Sequence, residues 1–161
     1  MSEQDLIRLA RENVEAWGDG DWQRLRAPFA PDVVYHELGT QRRLEGVEEL
    51  VQDYQGWKEA CPDGTGRVTN AIASGNSVAL EVIWTGTQTG PLVGPGGTIP
   101  PSGKAWTVPA AQVITFRGDK IVEFRHYFDL LTLLQQIGAA PESAGVGTGR
   151  EVESGKVGVS T

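Results

Sequence analysis

Residues 104–128 read KAWTVPAAQVITFRGDKIVEFRHYF, and this stretch decides the fold class. Buried-type side chains recur at every second position from Trp106 to Ile114, with Gln112 as the polar member of the series. A period of two is typical of a strand with one buried face. The Gly-Asp pair at 118–119 predicts a tight hairpin turn into a second strand. We therefore expect an antiparallel strand pair here.

Upstream of this pair the apolar period is helical first and becomes two only after residue 65. We expect helices over residues 2–18, 21–25, 45–60 and 130–137, a polar turn over 39–44, and further strands near 33–35, 67–73 and 77–87. Ser2 and Asp5 predict the cap of the first helix, and Asp129 that of the last. This order predicts an α+β fold: a strongly curved antiparallel sheet forms a cone-shaped barrel around one internal pocket and packs against three N-terminal helices.

Composition narrows the class of protein. The chain has 161 residues and a formal net charge of −7, with no cluster of Lys and Arg, so nucleic acid is not expected as a partner. No long apolar run predicts a membrane span, and a single cysteine fits a cytoplasmic protein. We expect one domain over residues 1–138 and a flexible, Gly- and Ser-rich tail over 139–161.

Two features have more than one interpretation. The uncharged segment 86–103 contains six glycines and four prolines, and could be a flap over a hydrophobic ligand, a tolerated insertion or an oligomer contact. It is not a phosphate-binding loop, because Thr98 and Ala105 stand where that motif needs Gly and Ser or Thr. Cys61 could be a nucleophile, although a small apolar residue at a helix end is the simpler interpretation.

Short motifs in the second half of the chain match one family. They are a G-x-x-x-G-x-L-x-G segment, a GKI-x-E-type hairpin and an aromatic-x-Asp strand end followed by L-x-x-x-Q-L-G. The matching residues are Gly86, Gly90, Leu92, Gly94, Lys120, Ile121, Glu123, Tyr127, Phe128, Asp129, Leu131, Gln135, Gln136, Ile137 and Gly138. This pattern resembles the SnoaL-like polyketide cyclases of the nuclear transport factor 2 superfamily. The run from Arg125 to Asp129 also resembles limonene-epoxide hydrolase-like proteins.

The resemblance implies a cofactor-free enzyme, expected as a homodimer, that acts on a polyketide-like substrate. In the cyclases, an acid–base carboxylate occupies the position that is His126 here. A family His falls on Gln112, a family Gln on Ala110 and a family Asn on Tyr35. Because every polar position differs, the aldol cyclisation of the family is an expectation for this chain and not an inference from its residues.

The residues themselves favour His126, Gln112 and Tyr35 as the catalytic set. An imidazole titrates near neutral pH and can remove a proton next to a carbonyl, although His126 could also be an ordinary core histidine. A buried Gln112 amide needs partners, and Tyr35 could stabilise a developing enolate. Simple hairpin pairing places Gln112 opposite Arg125, so Gln112 and His126 face one cavity only if a bulge intervenes. Pro109 predicts a bulge or a strand edge.

Further residues are candidates for substrate binding: His36, Glu37, Trp57, Trp84, Trp106 and Tyr54. The tryptophans could stack on a planar ligand, or could simply pack in the core. Alternation along the first strand puts Tyr35 and Glu37 on one face and His36 on the other.

Three functions remain open at this point. The first is a cofactor-independent cyclase or isomerase that abstracts a proton next to the carbonyl of a small hydrophobic substrate. The second is a non-catalytic module for small-molecule binding or dimerisation. The third is an epoxide hydrolase or epoxide-opening cyclase, which needs Glu81 or Glu37 beside His126. With two histidines and no His-x-x-x-His or CxxC motif, we expect no metal site.

Overall fold

The computed structural model describes residues 1–141 of the chain, so the expected tail lies outside the described residues from 142 onward. Within that part the helices are α1 (Glu3–Asp19), α2 (Trp22–Arg26), α3 (Val47–Ala60) and α4 (Leu130–Gln136). The strands are β1 (Phe29–Glu37), β2 (Arg42–Glu45), β3 (Thr65–Ser74), β4 (Ser77–Thr87), β5 (Leu92–Gly94), β6 (Gly97–Ile99), β7 (Ala105–Arg117) and β8 (Lys120–Phe128).

Six strands form one sheet in the order β2-β1-β8-β7-β4-β3, and the helices pack against its inner face. The α+β fold is therefore confirmed. Two details differ from the expectation: β1 and β8 pair in parallel, so the sheet is mixed, and β2 and β3 remain as open edges, so the sheet is not a closed barrel. β2 also occupies half of the segment that was expected to be a polar turn, residues 42–44 of 39–44.

Helix α1 forms as its sequence predicts. Ser2 and Asp5 make a reciprocal capping box at its start, which satisfies backbone donors that the first turn leaves free. Its buried stripe packs against β3 and β4, and includes Val14 and Trp17. The Trp17 indole donates to the carbonyl oxygen of Tyr54 at 3.0 Å, which ties α1 to α3. No helix within residues 1–141 is both long enough and apolar enough to cross a membrane.

A bulge in β8 sets the register of the site. Thr115 pairs with Glu123 but Phe116 pairs with Ile121, so Val122 is an extra residue. Because of this bulge, Gln112 pairs with His126. From the sequence, a bulge was required for these two residues to share a face, and it lies in β8 and not at Pro109.

Pro109 keeps an unbroken register with Ile83 of β4. On the other side of β7, the pairing with β8 ends at Ala110, so Pro109 lies just beyond it at a local edge. That is the second of the two situations in which a strand tolerates proline.

The Gly- and Pro-rich segment 86–103 is an ordered hairpin of β5 and β6. Gln88 is its anchor: the side chain is fully buried, and its amide nitrogen donates to the carbonyl oxygens of Gly90, Ile99 and Pro100. The backbone N–H of Ser102 donates to the Gln88 amide oxygen at 3.0 Å. A buried amide with all its partners in one loop explains why so many glycines and prolines still give a defined structure.

Candidate active site

A cavity opens between α3, α4 and the inner face of the sheet. Eight of the nine predicted site residues line it: Tyr35, Glu37, Tyr54, Trp57, Trp84, Trp106, Gln112 and His126. The exception is His36, which lies on the other face of β1, as alternation along the strand requires. The side chain of His36 does not border the cavity, so its predicted role in substrate binding has no support from this position.

The walls of the cavity are mostly aromatic. Trp57 and Phe128 meet edge to face, with ring centroids 5.8 Å apart, and Phe128 contacts His126 in the same way at 5.2 Å. The space open to small molecules is about 70 Å³. This is the volume that the centre of a water molecule can occupy, and about 10–15 Å³ on this measure is enough for one water, so the cavity is narrow but holds more than a single water-sized group.

One chain of hydrogen bonds crosses the floor of the cavity. The Trp84 indole donates to Nε2 of His126 at 3.2 Å, and Nδ1 of His126 lies 3.2 Å from the Tyr35 hydroxyl. The Tyr35 hydroxyl in turn donates to Oε2 of Glu37 at 3.2 Å. Because an indole can only donate, Nε2 is the acceptor, and the ring proton of neutral His126 is on Nδ1, pointing at Tyr35.

The environment keeps this imidazole neutral. Burial lowers the pKa of His126 to about 4, and the negative charge of Glu37 offsets part of that effect. The residue as a whole is only partly buried and lines the cavity, although protein atoms surround the ring. At neutral pH the ring is therefore unprotonated on Nε2 and has a carboxylate two hydrogen bonds away to stabilise any positive charge it acquires.

Gln112 pairs with His126 across the two strands, and its amide oxygen lacks a hydrogen-bond partner. Its side chain is only 2% exposed, and its buried Oε1 has no hydrogen-bond partner among the described residues. A buried amide without a partner is costly, by roughly 1–3 kcal/mol, unless a ligand supplies the missing bond. This makes Gln112 the natural contact for a polar group of a bound molecule.

Glu37 accepts more hydrogen bonds than any other acid near the cavity. Trp57 and Tyr35 donate to its Oε2, and Thr40 and Arg42 donate to its Oε1. Although burial opposes it, hydrogen bonding with Asp53 and Thr40 and the positive charge of Arg42 hold the pKa of Glu37 below its ordinary value. Glu37 is thus a buried carboxylate that borders the cavity and is joined to His126 through Tyr35.

Asp53 is a residue of the site that the sequence prediction missed. It lies on α3, its side chain is 5% exposed, and Arg42 donates to its Oδ1 at 2.7 Å. A signal was available: Leu50, Asp53 and Trp57 follow one another at helical spacings of three and four, so an acid interrupts an apolar stripe.

Two other candidates lie away from the chemistry. Cys61 is buried at the end of α3, where its sulfur accepts the indole N–H of Trp106 at 3.2 Å, and burial raises the pKa of its thiol. These contacts favour the helix-end interpretation over a nucleophile. Glu81 is exposed on the outer face of the sheet and accepts from Asn70, so it cannot act together with His126.

Comparison with solved structures identifies the fold. AclR, a candidate hydroxylase from Streptomyces galilaeus, superposes with a TM-score of 0.79 at 24% identity, over 98% of this chain and 94% of its own. A candidate SnoaL-like polyketide cyclase from Jannaschia sp. CCS1 gives 0.77 at 26% identity, over 86% and 95%. IdmH, a candidate polyketide cyclase from Streptomyces antibioticus, gives 0.71 at 26% identity, over 83% and 98%.

Comparison at the level of sequence identifies the family. A search of curated proteins finds no significant match to the chain. The family model for the SnoaL-like polyketide cyclases, in contrast, matches residues 7–137, from within α1 to just after the end of α4. The chain therefore belongs to the SnoaL-like polyketide cyclase family.

Proposed function

We propose that the protein is a cofactor-independent cyclase or isomerase that removes a proton next to a carbonyl of a small, apolar, polyketide-like molecule. The observation that carries this proposal is the pairing of His126 with Gln112 on the cavity face of β7 and β8, where one offers a neutral imidazole and the other an amide without a partner. Membership of the family and the aromatic walls support the class of substrate.

His126 would act as the general base through Nε2. The Trp84 indole occupies that nitrogen, so a substrate C–H must displace the indole before proton transfer. When Nε2 takes the proton, the ring becomes an imidazolium and the substrate an enolate. The Nδ1–H remains directed at Tyr35 and, through it, at the Glu37 carboxylate, which stabilises the new positive charge. The same Nε2 proton can then be returned to another atom of the intermediate.

Gln112 would hold the substrate carbonyl. Its amide N–H can donate to the oxygen on which the enolate charge develops, while its own oxygen accepts from a substrate hydroxyl. The amide and the imidazole belong to paired residues on the cavity face of two adjacent strands. The imidazole could therefore reach the acidic C–H while the amide binds the carbonyl. Ring closure onto a second carbonyl, or protonation at another carbon, would complete a cyclisation or an isomerisation.

The test is deuterium exchange at the carbon next to a carbonyl. Apolar aryl ketones of one to four rings would be incubated with the protein in heavy water and followed by NMR, with binding measured on the same samples. We expect exchange above the buffer rate for at least one ketone that binds. His126→Ala should lose about a hundredfold or more of that enhancement with binding largely kept.

The matched control is His36→Ala, which removes the other histidine of the chain from a position outside the cavity. It should exchange the ketone as fast as the wild type. A His126→Ala variant that keeps the wild-type rate would exclude His126 as the base. Exchange at the buffer rate for every ketone that binds would exclude the proposed reaction.

One observation favours a second candidate, a non-catalytic binding module. The Trp84 indole saturates the free nitrogen of His126, and the cavity is narrow without a ligand. Such a module would bind aryl ketones without accelerating exchange, so the same experiment separates the two functions. For an epoxide hydrolase, only Glu37 remains as the acid, since Glu81 is on the outer face, and all of the Glu37 contacts are to donors of the protein itself.

A further inference from the structure

Behind the wall formed by Tyr35 and Trp57 lies a cluster of three charged-type side chains, from three different elements. Glu37 belongs to β1, Arg42 to β2 and Asp53 to α3. One guanidinium nitrogen of Arg42 donates to Asp53 at 2.7 Å and lies 3.4 Å from Glu37. Its other terminal nitrogen donates to the Val93 carbonyl of the β5–β6 hairpin. Two acids therefore share a single cation inside the protein.

The hydrogen bonds decide which acid carries the negative charge. Glu37 accepts four donors, one from each of Thr40, Arg42, Tyr35 and Trp57. Asp53 accepts only from Arg42, and its buried Oδ2 has no partner among the described residues. If Asp53 were ionised, its Oδ2 would be a buried acceptor without a hydrogen bond, which is costly. If Asp53 is protonated, its carboxyl group can donate to the neighbouring Glu37.

We propose that Asp53 is a positioning residue of the active site: it holds a proton at neutral pH and donates it to Glu37, so that the one negative charge of the pair lies on Glu37, where it accepts the hydroxyl of Tyr35. The cluster then contains one anion, one cation and one shared proton, and has no net charge. Asp53 acts on the reacting imidazole only through Glu37 and Tyr35. Its role in catalysis rests on the proposed function, but its protonation does not.

The electrostatics of the cluster agree with this geometry. Burial, together with the hydrogen bond and the charge of Glu37, raises the pKa of Asp53 to about 9, against the opposing effect of Arg42. The other titratable groups that face the pair are Tyr35, Tyr54 and His126. Burial raises the pKa of both tyrosines well above 10, and that of His126 is about 4. Asp53 is thus the group of this cluster that changes charge near pH 9.

The first experiment is infrared spectroscopy of the purified protein. We expect a carbonyl stretch of a protonated carboxyl group at neutral pH, which disappears as the pH rises through about 9. Asp53→Asn should remove this band. The matched control is Asp63→Asn: Asp63 accepts the backbone N–H and the hydroxyl of Thr87, and these bonds hold its pKa below the ordinary value, so this substitution should leave the band unchanged.

The second experiment reads the effect on His126. With only two histidines in the chain, nitrogen-15 labelling gives two sets of ring signals, and His36→Gln assigns them. In the wild type, Nδ1 of His126 should carry the proton, and its signal should shift as the pH passes about 9. Asp53→Asn, which keeps a donor toward Glu37, should keep the same tautomer but lose that shift. A merely structural aspartate would not produce this pattern.

The outcomes are distinguishable from those of the exchange test. Absence of a protonated-carboxyl band at neutral pH, or its survival in Asp53→Asn, overturns the proposal whatever the protein catalyses. An alkaline shift of His126 that persists in Asp53→Asn also overturns it. If Asp53→Asn does not fold, the wild-type band and its titration with the Asp63→Asn control still decide the question. If the protonated-carboxyl band behaves as expected but no ketone exchanges deuterium, the proposal for Asp53 and Glu37 stands and only the proposed reaction is excluded.

Discussion

At the two ends of the β7–β8 pair, side chains on the same inner face of the sheet differ in chemical character. At the turn end, Ile114, Phe116, Ile121 and Phe124 are at most 1% exposed and fill a dry core. At the other end, the same inward-facing rows continue with Gln112 and His126 and open into the cavity. A single alternating pattern thus builds both a core and a site, and the difference depends on which side chains occupy the inward positions.

The bulge at Val122 is what makes the two ends compatible. Ile121 and Phe124 both point inward although they are three residues apart, which an uninterrupted strand of period two does not allow. The core end anchors the strands rigidly, and the other end can then carry an unpaired amide and an imidazole. Rigid support next to a costly polar site is the usual arrangement for a preorganised site.

The largest expected effect tests the core end against the cavity end. Phe116→Ala should lower the free energy of unfolding by about 3–5 kcal/mol, because it leaves a cavity in a dry core. Phe128→Ala, at the cavity end and only partly buried, should cost about 1–2 kcal/mol. Denaturant unfolding measures both, and equal losses would show that the two ends are packed alike.

A second prediction concerns the response of the cavity end to acid. In the folded state His126 has a pKa near 4, below the value near 6.5 that it has when unfolded, so the unfolded chain binds more protons between these two values. The free energy of unfolding should therefore fall as the pH drops from about 6.5 to 4, by on the order of 2 kcal/mol after allowance for the only partly buried residue.

Denaturant titrations at a series of pH values measure this slope. Substitution of His126 by glutamine should reduce it, and the same substitution at His36, outside the cavity, provides the control. An unchanged slope in His126→Gln would show that the imidazole is not held neutral by its surroundings.

The smallest effect on stability is expected for Gln112 at the cavity end, where loss of the side chain should affect activity and not folding. Gln112→Leu removes an amide that has no partner, so the stability of the ligand-free protein should stay within about 1 kcal/mol of the wild type or rise. Acceleration of ketone exchange should nevertheless be lost. A loss of several kcal/mol would instead assign Gln112 to the core.

The local rules of the chain were enough for the four helices and for five of the eight strands, but not for β2, β5 and β6. Eight of the nine predicted site residues line the cavity. The capping box at Ser2, the turn at Gly118 and the alternation from Trp106 to Ile114 depend on neighbours in sequence, and each one appears where it was expected. The family motifs also come from the sequence, and the family that they indicate is the one whose model matches residues 7–137.

Only the tertiary structure decided how these parts meet. The parallel pairing of β1 with β8 brings Tyr35 and Glu37 to His126, and no local pattern specifies a contact between residues 91 positions apart. The tautomer of His126 follows from the Trp84 indole, and the raised pKa of Asp53 from burial beside Glu37. Hydrogen-bond direction and desolvation depend on three-dimensional neighbours, so they arise only when strands and helices close around the cavity.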